Sequence, residues 1–273
     1  MTKPDRVAAA SAQHLRDLWA QDRPAFGLWS TLADTVVAEL VAAGPMDFTV
    51  LDLQHGLATF SELPTMLQAM RSAGKAPVVR VGWNDPAAIM RAIDTGAAAV
   101  IVPMVDTAEQ ARAAVDACRF PPRGSRSWGP MWGDVRPDGA LPPEEQDEAV
   151  LCFVMVETQA GMDALDAIVA VPGLDGVFIG PNDLALGCGY GRSTYRDSPD
   201  VEQMLQRVID ACRDAGIIGG LFCSDAAMAS DWAGRGARML TAAVDTTVLR
   251  VGIEALWADL GTVRGGAVRG DGE

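Results

Sequence analysis

The sequence predicts an α/β fold, a closed (β/α)8 barrel. Three observations carry this. Eight short apolar runs, rich in β-branched residues, alternate with helix-like stretches. Several runs are continuously apolar, as expected of strands covered on both faces. Alternation of this kind allows an open doubly wound sheet or a closed barrel, and eight units in 273 residues favour the barrel, which typically takes about 250.

The strands are expected at FGLWS (26–30), FTVLD (48–52), PVVRV (77–81), AAVIVP (98–103), LCFVMVE (151–157), GVFIGP (176–181), IIGGLF (217–222) and ARMLTAA (237–243). The first intervening helix opens on Asp34 and stops at Gly44, a start and stop in the expected order. The next runs from Ser61 to Gly74. Asp85 then caps a helix with Pro86 at its first position, and Thr107 with Gln110 forms a capping-box-like start. Further helices fit 160–170, 200–215, 225–235 and 246–260. The segment 121–148 is too long for an ordinary connection and reads as a functional loop or lid. Residues 1–23 read as a helical extension, 24–262 as one barrel domain and 263–273 as a disordered tail.

Composition narrows the chemistry. A formal charge of −14 lacks the basic footprint that phosphate backbones and anionic lipid surfaces require, so neither nucleic acid nor membrane is an expected partner. No apolar run is long enough for a membrane span, and the charged N-terminus is unlike a secretory signal, so the expected address is cytoplasmic. Five scattered cysteines show no CxxC, and His14 and His55 are the only histidines. A disulfide framework, a zinc cluster and a His-rich metal site are thereby excluded. The only lysines are Lys3 and Lys75, which leaves Lys75 for any Schiff-base mechanism. GCGYG at 187–191 imitates a dinucleotide loop but lacks the strand–turn–helix setting.

Barrel chemistry collects where strands end. Glu157 closes an apolar strand, and Asp183 follows one βα unit later on the same rim. Two carboxylates on neighbouring strand ends suit a hard cation such as Mg²⁺ or Mn²⁺, with Co²⁺ a further candidate; the alternative is an arginine pair for Glu157 and a helix cap for Asp183. Arg80 interrupts an apolar strand, as a structural salt bridge to a rim carboxylate or as an anion clamp. His55 follows Asp52 by three residues, either as a surface residue or as an acid–base group oriented by that carboxylate.

Together these residues resemble the HpcH/HpaI aldolase family, the metal-dependent class II pyruvate aldolases. The likeness covers roughly residues 24–258 and rests on FGLW (26–29), LDLQHG (51–56), PVVRVGWND (77–85), IVPMVDTAEQAR (101–112), RFPPRGSRSWG (119–129), VETQAG (156–161), GVFIGPNDLA (ending at Ala185) and VDTTVLR (244–250). The resemblance implies reversible aldol cleavage of a 2-oxo-4-hydroxy acid into pyruvate, or a related 2-oxo acid, and an aldehyde. It implies Glu157 and Asp183 as metal ligands and Arg80 as the residue on the pyruvyl oxygen. It also implies His55 as the acid–base group with Asp94 as its partner, and Asp52 as an orienting residue. Trp29, Gly180, Pro181 and Asn182 are implied as substrate-binding positions. It implies a C-terminal helix exchanged between subunits of a homo-oligomer, a hexamer built as a trimer of dimers, with Asp94 or the 121–148 segment completing a neighbour's site. Met155 departs from the glutamine that several members carry, and RGSRSWGPMW departs from their glycine-rich form, so the aldehyde does not transfer. Citryl- or malyl-CoA lyase activity, disfavoured by DLQHG, and a non-catalytic barrel that kept the pocket are the alternatives.

Overall fold

The structure, a computed structural model, describes residues 11–129 and 141–266. Its eight strands are β1 (Ala25–Ser30), β2 (Phe48–Asp52), β3 (Ala76–Arg80), β4 (Ala99–Val102), β5 (Leu151–Met155), β6 (Gly176–Ile179), β7 (Ile218–Leu221) and β8 (Met239–Val244). They pair in parallel in sequence order, and β8 returns to β1 to close the barrel. The helices are α1 (Ala12–Ala20), α2 (Thr35–Ala43), α3 (Leu63–Ser72), α4 (Pro86–Asp94), α5 (Ala108–Cys118), α6 (Pro143–Glu148), α7 (Gln159–Asp163), α8 (Leu165–Val169), α9 (Pro181–Gly187), α10 (Pro199–Asp214), α11 (Ala226–Gly234) and α12 (Asp245–Gly266). Asp34, Asp85, Thr107, Thr158, Ser198 and Asp225 each cap a helix through a side-chain oxygen, satisfying backbone donors that have no partner inside the helix.

Strand periodicity of two divides the apolar residues into two cores. Leu51, Val79, Val100, Val102, Cys152, Val154, Val177, Ile179, Leu221 and Leu240 face outward against the helices. Phe48, Val50, Ala76, Val78, Ile101, Leu151, Phe153, Met155, Phe178 and Met239 face inward and fill the barrel. Glycine makes room for the inward rings: a Cβ at Gly176 would lie 2.2 Å from the Ile218 carbonyl oxygen and 2.4 Å from Phe153. Helix α1 plugs the end where the strands begin, adding Ala12, Leu15 and Leu18 to the inner core, and Trp19 meets Phe153 edge to face at 6.1 Å. Arg16 and Arg119 bind Asp175 at that end.

Three expectations need adjustment. The helix expected over 160–170 breaks at Ala164 into α7 and α8. A short helix, α6, lies within the segment read as a lid. Its described parts, 121–129 and 141–148, follow α5 and precede β5 at the strand-start end. Residues 130–140, with Met131 and Trp132, lie outside the described residues, as do 1–10 and 267–273. The five cysteines are free.

Gly176→Ala drives a methyl against a backbone carbonyl, which cannot rotate away as a flexible side chain can. Thermal or urea denaturation should show a loss of at least about 1–3 kcal/mol, the usual cost of overpacking, whereas Gly234→Ala, with open space at its Cβ, should be tolerated.

Candidate active site

The alternation that fills the barrel also lifts its polar residues to the rim. The inward series Phe48, Val50, Asp52 and Ala76, Val78, Arg80 end on charges, and the register sets Asp52 beside Arg80. Leu151, Phe153 and Met155 continue inward to Glu157 by the same parity. Arg80 makes a bidentate pair with Asp52, Nε to Oδ1 at 2.8 Å and Nη2 to Oδ2 at 2.6 Å, almost fully buried on both sides. Trp29 Nε1 donates to the same Oδ2 at 3.1 Å, and its ring lies 4.8 Å from the guanidinium carbon. The backbone N–H groups of Gln54 and His55 close on Asp52 Oδ1 at 3.0 and 3.3 Å. Burial alone raises the Asp52 pKa, but the Arg80 hydrogen bonds and charge, with Trp29 and Gln54, outweigh it and hold the carboxyl below its usual range.

Asp52 therefore acts on Arg80 and on the backbone of the His55 loop, a wider orienting role than the sequence implied. Two of the five guanidinium N–H donors go to Asp52, leaving three for a ligand. Arg80 is in a salt bridge and also lines a cavity of about 230 Å³, together with Trp29, Thr31, Asp52, His55, Met155, Asn182, Asp183, Phe222 and Val244.

Among the described residues Glu157 has no comparable partner. Its Oε2 accepts the Met104 N–H at 3.1 Å. Burial pushes its pKa up to about 7 against that bond; the Asp183 charge adds to the rise, and Arg80 opposes it. A Cβ placed on Gly180 would sit 2.7 Å from Glu157 Oε1 and 3.3 Å from Asp183 Oδ2. The two carboxylates thus converge on one point, their oxygens at most about 6 Å apart, a bound that includes the spans of up to about 5 Å that a cation with ligands at about 2.0–2.6 Å bridges. Among the described residues no third acidic, histidine or cysteine ligand joins them. The residues present fit a hard divalent cation, which the two carboxylates would hold. Gly180 leaves the space, Pro181 starts α9, and Asp183 stands in its first turn.

His55 lies on the exposed lip of the cavity. Asp94 is elsewhere: as the last residue of α4, which runs back from the rim, it reaches the strand-start end. There Arg126 Nη2 holds it at 2.7 Å, the guanidinium 4.3 Å from the Phe120 ring. Within one chain Asp94 partners Arg126, not His55. Lys75 lies immediately before β3, at the same far end, so the lysine available to a Schiff base is remote from the rim. Thr31, Phe222 and Val244 were not anticipated at the cavity. Each lies at or just past a strand end, the one signal that marks them.

The model of the HpcH/HpaI aldolase/citrate lyase family, described as "HpcH/HpaI aldolase/citrate lyase", matches residues 25–251. A 4-hydroxy-2-oxo-heptane-1,7-dioate aldolase from Salmonella dublin is 36% identical over 248 residues, 90% of this chain and 94% of the relative. A crystal structure of an HpcH/HpaI aldolase/citrate lyase family protein from Burkholderia cenocepacia J2315 matches with a TM-score of 0.82 and 32% identity, covering 93% of this chain and 98% of that one. The citrate lyase beta subunit of Mycobacterium tuberculosis, complexed with oxaloacetate and magnesium, shares the fold at a TM-score of 0.53 and 18% identity, over 82% of this chain and 92% of that one.

Gly180→Ala places a methyl between the two carboxylates and should abolish Mg²⁺ binding in a calorimetric titration without unfolding the barrel. In the wild-type protein, cation binding requires ionised Glu157, whose raised pKa of about 7 favours the protonated form. Mg²⁺ affinity should therefore weaken as pH falls below about 7. For the metal-free protein the same group contributes stability at low pH that is lost as pH rises from its unfolded value toward 7. A pH-independent affinity, or undiminished binding in the variant, would remove this pair as the cation site.

Proposed function

The chain belongs to the HpcH/HpaI aldolase/citrate lyase family and is a carbon–carbon lyase of the aldolase type; from that premise we propose that it reversibly cleaves 2-oxo-4-hydroxy acids to pyruvate, or a related 2-oxo acid, and an aldehyde, with a divalent cation. The observation that carries this is the Asp52–Arg80 pair opening onto the cavity that Asp183 and His55 also line. Glu157 and Asp183 would hold the cation, Mg²⁺ or Mn²⁺. When bound, it supplies Lewis-acid polarisation of the 2-oxo group.

Arg80 presents a fixed positive charge where the enolate oxygen becomes negative. Because Asp52 and Trp29 already hold the guanidinium, no reorganisation is needed as that charge develops. His55 takes the proton of the 4-hydroxyl. The C3–C4 bond breaks, its electron pair enters the C2–C3 enolate, and the carbon bearing the hydroxyl leaves as the aldehyde. Protonation at C3 then yields the 2-oxo acid. Gly180, Pro181 and Asn182 border the 2-oxo acid end, and Trp29, Met155 and Phe222 supply apolar walls that limit water.

The assembly follows from the C-terminal arm. Helix α12 makes its main barrel contacts with β1 and β8, while Val248, Leu249, Val251, Ile253, Leu256, Trp257 and Leu260 stay 50–67% exposed. In a barrel the last helix packs between the first and the seventh peripheral helices. Here α2 leaves Val36 and Leu40 exposed on its flank. We infer that a partner's α12 covers this face in a closed homo-oligomer built from such dimers, with Asp94, Arg126 and the Trp128 segment offered to a neighbour's rim.

Aldol condensation of pyruvate with an aldehyde panel should proceed with Mg²⁺ or Mn²⁺, stop with EDTA, and survive borohydride treatment. Covalent trapping on Lys75 would overturn the mechanism. Arg80→Ala should lower kcat/KM by about 10²–10³, the usual loss of one donor to a developing oxyanion; a near-normal rate would return Arg80 to a purely structural role. Light scattering at low micromolar concentration should show a multimer, and a mass of 28.7 kDa for active protein would refute the assembly.

A further inference from the structure

Asp245, the first residue of α12, is a buried carboxylate that accepts five hydrogen bonds. Its Oδ2 takes the N–H groups of Thr31 at 2.9 Å and Leu32 at 3.0 Å and the Ser30 hydroxyl at 3.0 Å. Its Oδ1 takes the Thr246 N–H at 2.7 Å and the Thr31 hydroxyl at 2.8 Å. Backbone N–H groups occupy both oxygens and can only donate, so the carboxylate is the acceptor throughout. The proton of the Thr31 hydroxyl is therefore committed to Asp245, and what Thr31 Oγ1 can present elsewhere is lone pairs.

Thr31 lines the active cavity. Its backbone is fixed as well: Asp245 holds its N–H, and its carbonyl accepts the Leu57 N–H at 2.8 Å, two residues beyond His55. Thr31 follows β1, whereas Glu157 follows β5. In an eight-stranded ring β1 and β5 stand opposite each other. The 2-oxo acid half of the substrate belongs to the Glu157–Asp183 side, so the aldehyde half extends toward Thr31 and the His55 loop. His55 removes the 4-hydroxyl proton, so the donor that meets Thr31 is a different hydroxyl.

We propose that Thr31 is a specificity-determining residue of the aldehyde subsite. Its hydroxyl, oriented by Asp245, accepts a hydrogen bond from a hydroxyl group on the aldehyde, and the enzyme prefers hydroxylated aldehydes to their deoxy counterparts. The proposal rests on the aldolase reading above. Asp245 is a positioning residue within it. An aldehyde with a methyl group in place of the hydroxymethyl leaves the Thr31 acceptor facing an apolar group, a loss on binding that a hydroxyl avoids.

The test is the ratio of kcat/KM for glycolaldehyde to that for acetaldehyde, each condensed with pyruvate in the metal-loaded protein. A ratio measured on one preparation does not depend on how much of it is folded. The wild type should favour glycolaldehyde. Thr31→Val should lower the ratio on the order of tenfold, the effect of one hydrogen bond, and Thr31→Ser should keep it within about twofold. Asp245→Asn should lower it less than Thr31→Val, because the amide turns the Thr31 hydroxyl proton toward the cavity and the aldehyde hydroxyl can accept as well as donate. An unchanged ratio in Thr31→Val, or an equal loss in Thr31→Ser, would overturn the Thr31 assignment while leaving the aldolase reading standing. A folded, metal-loaded wild type that condenses pyruvate with neither aldehyde would overturn both.

Discussion

The active end of the barrel depends on the carboxylate of Asp52. It receives Arg80 twice, the Trp29 indole and two backbone N–H groups from the His55 loop. Three consecutive strand ends, β1 to β3, are thereby fixed to one anion. A buried arginine is costly unless its donors are met, and Asp52 meets that requirement while leaving donors free for a ligand. A shorter or neutral side chain at this position would free the guanidinium, loosen the indole and release the turn that carries His55. On the proposed function, the geometry of substrate recognition and the local stability of the rim are the same set of bonds.

The other rim carboxylates show what compensation does. Asp245 is met by five donors, four of them across the seam between β8 and β1 and one from Thr246 beside it. Glu157 is equally buried but has one backbone donor and a like charge nearby. Its raised pKa is the electrostatic consequence: the site favours a proton, or a cation in its place, over a bare anion. A fold that satisfies Asp52 and Asp245 so fully, yet leaves Glu157 facing Asp183 across Gly180, concentrates its unmet charge at one point. Unmet charge of this kind is more often found at functional sites than in structural cores.

Much of this was legible in the sequence because a strand's side chains alternate. The eight apolar runs give the barrel, and the polar residue ending an inward series gives Asp52, Arg80 and Glu157. Asp183 followed from the length of one βα unit. The remainder depends on contacts that no local pattern encodes. Asp94 lies close in sequence to Arg80 yet reaches the opposite end, because α4 returns antiparallel to β3, and its Arg126 partner is 32 residues away. The segment after α5 reads as a functional loop or lid from its length; its described ends lie between a helix end and a strand start, which no local pattern encodes. Thr31 carries no motif; its role depends on Asp245, 214 residues later. The break at Ala164 and the short helix α6 have no strong periodic signal.

The two ends of the barrel now divide the work in a way that bears on assembly. At the strand-start end, α1 seals the interior, and Arg16, Arg119 and Asp175 bind the N-terminal helix to the barrel. At the rim, Trp83 and Leu57 are exposed beside a cavity whose lip carries His55. Trp128, its ring tilted against Phe120 with centroids 5.0 Å apart, is exposed at the far end with the Asp94–Arg126 pair close by. One subunit therefore holds an apolar, charge-bearing far end and an apolar rim that cannot meet each other in the same chain. Contact between the two on different copies would bury both tryptophans and bring an arginine–aspartate pair toward the exposed His55. In the homo-oligomer proposed above, the separation that keeps Asp94 from its own His55 is the geometry that would make it available to another copy's.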